Sequence, residues 1–257
     1  MPRRQRSRVT RAITTPLLVV VCIIAAILIG WFAYALWAWM GYGSAQVDRQ
    51  PDPGLDHFMP VYEIAERHEI PVDAPWTNTY AAECLVDLRD SPVIRSIFRG
   101  REIILGSSPE PDTDAQPSAF VAQAMSFGWG ILAEDPGHEI IMGAVTQPWE
   151  ANVAFESLPP DRFAFFHTPG YVKIVWTLDA EPTGSSTSIA RTITRVETTD
   201  PQARAKFRRY WATFSPGIIF IRYEALRLVR DASERGYKAH GVAAPATCAA
   251  TEAAARD

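Results

Sequence analysis

Apolar and polar positions follow three successive patterns along this chain. From Ala12 to Gln46 no charged residue occurs, and residues 16–40 are almost wholly apolar. As a helix rising ~1.5 Å per residue, that run exceeds the ~30 Å hydrocarbon layer and predicts a membrane span. The pattern then turns to alternation. Tyr62, Ile64, Glu66, His68, Ile70 and Val72 share one face of a strand predicted over 59–72, while Glu63, Ala65, Arg67 and Glu69 share the other. Further strand-like runs at 129–134, 139–145, 151–156, 162–167, 171–179 and 187–198 are separated by turns such as Pro136-Gly137, Pro169-Gly170 and Pro182-Thr183-Gly184-Ser185. From Thr199 the period becomes helical. Phe207, Tyr210, Trp211, Phe214, Ile218, Ile221, Ala225, Leu226 and Val229 form one broad apolar stripe, with Asp200 placed to cap, Pro201 at the first helical position and Gly236 as the stop. Pro216 predicts a kink inside this long helix.

Between the first strand and the later run, Asp73-Ala74-Pro75 opens a helix carrying Trp76, Tyr80, Cys84 and Leu85, and Ser91-Pro92 opens a short second one. Residues 106–117, rich in Ser, Pro, Asp and Glu, read as an exposed loop, and 118–125 as one or two helical turns. The predicted organisation is a basic tip at 1–11, a transmembrane helix at 12–40, a Gly/Pro-rich linker at 41–56, one domain at 57–238 and a disordered Ala-rich tail at 239–257.

Charge sharpens this picture. The formal net charge of −4 combines +5 before Val47, −13 from Val47 to Thr199 and +4 from Asp200 onward. The acidic middle excludes nucleic acid as a partner, because phosphates need a basic face. Arg3, Arg4, Arg6, Arg8 and Arg11 precede the span, so the N-terminus is expected in the cytoplasm and the domain outside, as a single-pass protein of the cell membrane. Trp31, Phe32, Tyr34, Trp37 and Trp39 gather at the span's far end, as aromatic rings do at the headgroup level. An uncleaved anchor fits the length of the apolar run better than a signal peptide. The basic residues of the long helix, Arg222 among them, are read as a solvated face that also suits anionic headgroups. Cys22 lies in the span, and Cys84 and Cys248 can pair only if the tail folds back. No Cys/His spacing calls for a metal and no nucleotide-binding loop occurs, so neither metal nor cofactor is expected.

The order strand, helix pair, antiparallel run, long C-terminal helix is that of the helix-grip fold. Glu66-Arg67-His68-Glu69-Ile70, Asp87-Leu88-Arg89-Asp90-Ser91-Pro92, Pro169-Gly170-Tyr171-Val172-Lys173 and the segment from Thr192 to Pro201 resemble bacterial START-like proteins of the SRPBCC type, the polyketide cyclase/dehydrase and lipid transport superfamily. The resemblance covers roughly residues 61–237. It implies an α+β domain whose curved antiparallel sheet grips the long helix around an apolar cavity, and hence binding of a lipid or other hydrophobic small molecule. Tyr62, Ile64, Glu66, His68, Trp129, Trp176, Arg195, Trp211 and Phe214 are the residues expected to line that cavity.

Glu66 and His68, two apart on a strand, point to one side that is otherwise apolar. They are the candidates for acid and base if the protein is instead a cyclase or dehydratase. A non-catalytic module that binds a protein partner is the third reading. Lys173 is expected to point outward, and the side on which Arg191 and Arg195 lie is left open by the pattern.

Overall fold

The computed structural model describes residues 3–43, 52–106 and 119–248, the side chains of 3–17 excepted. Residues 107–117 of the loop expected at 106–117, residues 44–51 of the linker and residues 249–257 of the tail lie outside the described residues. Helix α1 (Arg3–Gly41) contains a segment, Leu18–Gly41, that is long and apolar enough to cross a membrane, with mean hydropathy 2.7 over its most apolar 18 residues.

Six strands form one antiparallel sheet: β1 (Ile64–Val72), β2 (Gly130–Asp135), β3 (Glu139–Thr146), β4 (Phe155–Glu156), β5 (Val172–Pro182) and β6 (Ser188–Thr198). Their spatial order is β1-β6-β5-β3-β2, with β4 on β3. Helix α3 (Trp76–Leu85), a 3-10 turn (Leu88–Asp90), helix α4 (Pro92–Leu105) and helix α5 (Phe120–Ser126) fall between β1 and β2. Helix α7 (Pro201–His240) ends the fold, and Asp200 caps it by accepting from the backbone N–H groups of Gln202 at 2.7 Å and Ala203 at 3.0 Å.

Opposed residues of an antiparallel pair share a face, so the register sorts the sheet into two sides. On one side Ile64, Val172 and Val196 pack with Phe207 and Trp211 of α7, and Val72 and Ala190 pack with Leu226 and Val229. The sheet thus holds the long helix lengthwise, which is the helix-grip arrangement. The other side is covered as well. Ile141, Val145, Val175 and Ile193 pack under Leu55, Phe58 and Met59 of helix α2 (Pro53–Phe58) and Phe163 of helix α6 (Pro160–Ala164).

Several expectations change here. The strand begins at Ile64, not Met59, because Asp52 caps α2 and Leu55 is fully buried. The domain therefore starts inside the expected linker. Residues 162–167 do not form a strand, since Pro160 opens a helical turn, and only Phe155–Glu156 of 151–156 pairs. Lys173 faces away from α7 as expected, yet it is buried, donating to Glu197 at 3.0 Å and to the carbonyl of Ala164 at 3.3 Å. Helix α7 continues through Pro216 and past Gly236.

Nor is the first part of the tail disordered. Asn78 donates to the Gly241 carbonyl at 3.0 Å and accepts from Ala243 N–H at 3.0 Å, and Cys248 joins Cys84 in a disulfide. Gly128, between α5 and β2, has φ +99°, and a Cβ there would meet the Phe155 carbonyl oxygen at 2.0 Å. Only glycine lets β4 approach so closely.

Candidate functional site

A row of residues crosses the α7 side of the sheet at mid-height: Met142 on β3 opposite Trp176 on β5, Trp176 opposite Thr194 on β6, Thr194 opposite Glu66 on β1. Its two ends differ in chemistry. At the inner end Trp176 meets Phe120 at 5.4 Å between ring centroids and Trp129 at 5.7 Å, and Phe155 stacks on Trp129 at 4.9 Å. At the outer end, beside the edge strand, Arg222 descends from α7 and donates through Nη1 to Thr194 Oγ1. His68 lies one strand position pair from Glu66, with Nε2 3.6 Å from Glu66 Oε2 and its ring edge-on to Tyr223 at 4.8 Å.

Four polar side chains from three elements thus converge beside an aromatic wall. Three of their nitrogens are buried without a hydrogen-bond partner: His68 Nδ1, His68 Nε2 and Arg222 Nε. Orphaned buried donors and acceptors carry a desolvation penalty and are expected where a ligand supplies the missing partners. At 3.6 Å the Glu66–His68 contact exceeds hydrogen-bond range, so neither residue satisfies the other.

The electrostatics agree with this placement. Burial, reinforced by the Arg222 charge, lowers the His68 imidazole to about 4. Burial raises the Glu66 carboxyl, and Arg222 partly opposes that rise. Burial also lowers the Arg222 guanidinium to about 10, with Glu66 working against it. His68 is therefore neutral at physiological pH, with one ring nitrogen an unused donor and the other an unused acceptor. Its folded value lies below the unfolded one, so its contribution to stability is intact above ~6.5 and is lost as pH falls towards 4. Glu66 acts in the opposite sense, being most favourable at low pH. The wild-type thermal midpoint minus that of His68→Phe should therefore shrink between pH 7 and pH 4 in a calorimetric series. A constant difference would mean that His68 titrates normally.

Not all the expected cavity residues belong here. Glu66, His68, Trp129 and Trp176 are brought together. Ile64 and Trp211 lie on the same side but pack in a separate cluster with Phe207, and Phe214 faces Tyr210 at 5.0 Å. Arg195 is misplaced by the sequence reading. It opposes Ala65 and Val175 on the far side of the sheet, where Nη1 donates to Asp56 at 2.6 Å and to the Met59 carbonyl at 3.1 Å. Tyr62 precedes β1 and lies against Arg195, 4.6 Å from the guanidinium, rather than in the row. Both residues hold α2 against the sheet.

Thr194 and Arg222 were the residues missed. Arg222 is no part of a solvated face. Trp211, Ser215, Arg222, Leu226, Val229 and Ser233 recur at intervals of three, four or seven, so the spacing already set it on the buried stripe. A cavity of about 150 Å³ lies elsewhere, at the edge of β3 and β4, lined by Val145, Gln147, Glu150, Asn152, Ala154, Glu156 and Tyr171.

No protein-family model matches the chain, and no curated protein matches it. Among solved structures it is similar to the di-domain ARO/CYC BexL from the BE-7585A biosynthetic pathway, at 16% identity over 66% of this chain and TM-score 0.25. The match spans 46% of that chain, about half its length. It is similar also to norcoclaurine synthase from Thalictrum flavum in complex with dopamine and hydroxybenzaldehyde, at 11% identity, covering 76% of this chain and 97% of that one, TM-score 0.32. A third is the Zhui aromatase/cyclase from Streptomyces sp. R1128, at 12% identity, 70% of this chain and 99% of that one, TM-score 0.25. The helix-grip assignment rests on the strand order and on α7 lying along the sheet.

Proposed function

We propose that this protein binds an amphiphilic small molecule, lipid-like in having an apolar body and a polar end, between the sheet and α7, while α1 anchors it in a membrane. The observation that carries the reading is the set of partnerless buried nitrogens on His68 and Arg222 beside the aromatic wall of Phe120, Trp129 and Trp176. An apolar body suits the wall, and a carboxylate, phosphate or hydroxyl suits the donors. The Cys84–Cys248 disulfide supports an oxidising compartment for the domain, which agrees with the cytoplasmic placement expected for the Arg-rich N-terminus.

The full chain, extracted from its membrane in mild detergent, should carry a discrete amphiphile visible by native mass spectrometry and recoverable into organic solvent. A bare polypeptide mass, together with failure to take up fluorescent fatty acids or phospholipids, would defeat the reading.

One observation favours a second reading, a module that binds a protein partner: the aromatic rings stack on one another in the space a cargo would fill. The alternative of a cyclase or dehydratase on this fold would use neutral His68 as base and the raised Glu66 carboxyl as acid. In that case His68→Ala would abolish turnover while sparing uptake.

A further inference from the structure

Helix α7 carries an unbroken uncharged run from Tyr210 to Ile221, bounded by Arg209 and Arg222, although charges recur every few residues elsewhere along it. Two elements meet α7 here. On one flank α1 docks: Tyr34 Oη lies 3.2 Å from Ser215 Oγ within the run, and just before it Arg208 donates to the Trp39 carbonyl at 2.6 and 2.9 Å and Tyr42 meets Phe207 at 6.1 Å. On the other flank α4 docks, with Ile97 close enough that a Cβ on Gly217 would meet its Cγ2 at 3.1 Å. Positions 215 and 217 lie roughly 200° apart around a helix, so the two neighbours leave the back of α7 open between them. Phe220 is exposed in that sector, and Phe98, Ile103 and Ile104 are exposed on the neighbouring α4.

We infer that this face is a membrane-contact surface lying against the headgroup layer of the bilayer that α1 spans. The inference rests on the proposed anchoring and cargo reading but concerns a different surface. The span sets the depth. Tyr34 lies seven residues before Gly41, ~10 Å along the helix, so the contact with Ser215 holds the uncharged run of α7 beside the last turns of the apolar segment. Charge sets the partner: exposed Arg95, Arg99 and Arg209 flank the apolar residues, the composition of a helix resting on anionic lipid. Exposed Tyr223, in ring contact with buried His68, borders the same face, so an amphiphile leaving the bilayer meets the polar cluster without crossing bulk water.

The test uses the full chain in vesicles of phosphatidylcholine with phosphatidylglycerol, with the photo-crosslinker p-benzoylphenylalanine placed at Phe98, at Phe220 or, as control, at Phe165, which is 80% exposed in the α6 region. Phospholipid adducts are expected at positions 98 and 220 and not at 165. Exchanging Arg95 and Arg99 for Glu should lower the yield several-fold in these vesicles. Adducts at all three positions alike, none at 98 and 220, or adducts to a second polypeptide there would overturn the inference. Organic extraction of the wild type from the same vesicles separates the two claims: adducts at positions 98 and 220 with no extractable cargo leave the contact surface standing and remove the cargo.

Discussion

Replacing both Cys84 and Cys248 by Ala should lower stability by about 2–5 kcal/mol, seen as a fall of several degrees in the calorimetric midpoint. The disulfide joins residues 164 apart, a closure that removes much freedom from the unfolded chain. It also sits next to a buried carboxyl without partners. Helix α3 buries Glu83 completely, both carboxylate oxygens lack partners, and burial together with Asp179 raises that carboxyl well above its ordinary value. The raised value means that Glu83 weakens the docking of α3 as pH rises. The tail offsets this by holding α3 through Asn78 and the disulfide and by holding β2 through Cys248 N–H donating to Glu134 at 2.6 Å. The double variant should therefore release residues 241–248 to protease, since the disulfide ties that segment to α3. Equal midpoints with and without reductant would contradict this.

The same region shows what a sequence reading can reach. The long helix, its cap at Asp200 and the alternating strands were legible, because each is fixed by local rules: a side chain meets its own backbone, or an apolar face repeats at the period of its element. The second covered face was not. Leu55 sits among Gly and Pro residues that read as linker, Met59 read as the first residue of the strand, and nothing within a few positions of Leu55 announces the distant Val175 and Ile193 that bury it. Arg195 was misassigned for the same reason. Its strand alternates polar and apolar residues on both sides, and the side that faces α7 is decided by pairing with Glu66 and Trp176 across two neighbours.

The candidate site divides likewise. Glu66 and His68 stood out as polar residues on an apolar strand face, and Trp176 by its own alternation. Arg222 needed two facts at once: its place on the buried stripe of α7 and the presence of Thr194 beneath it. Charged residues on a helix default to solvent, so the default prevailed over the spacing. The disulfide was hidden because a tail rich in Ala has no pattern of its own and is ordered by partners on α3, more than 160 positions away.

Arg222→Met should weaken binding of a carboxylated or phosphorylated amphiphile by ~10–100-fold, the equivalent of a lost charge-assisted hydrogen bond. The same change should leave the folded protein as stable or make it more so. At neutral pH the guanidinium remains charged, and its lowered value records that burial disfavours that charge. One donor is met by Thr194, while Nε is buried without a partner. Met, of similar length and flexible, replaces an imperfectly satisfied charge with apolar volume. A merely structural arginine would behave otherwise, since its loss would lower the melting midpoint and affect binding only through unfolding. Thermal midpoints and titration of a fluorescent fatty acid, measured on one preparation, therefore separate the two roles. Affinity falling while the midpoint holds or rises assigns Arg222 to the ligand; a midpoint that falls with affinity intact returns it to the scaffold and, with it, the polar end of the proposed site.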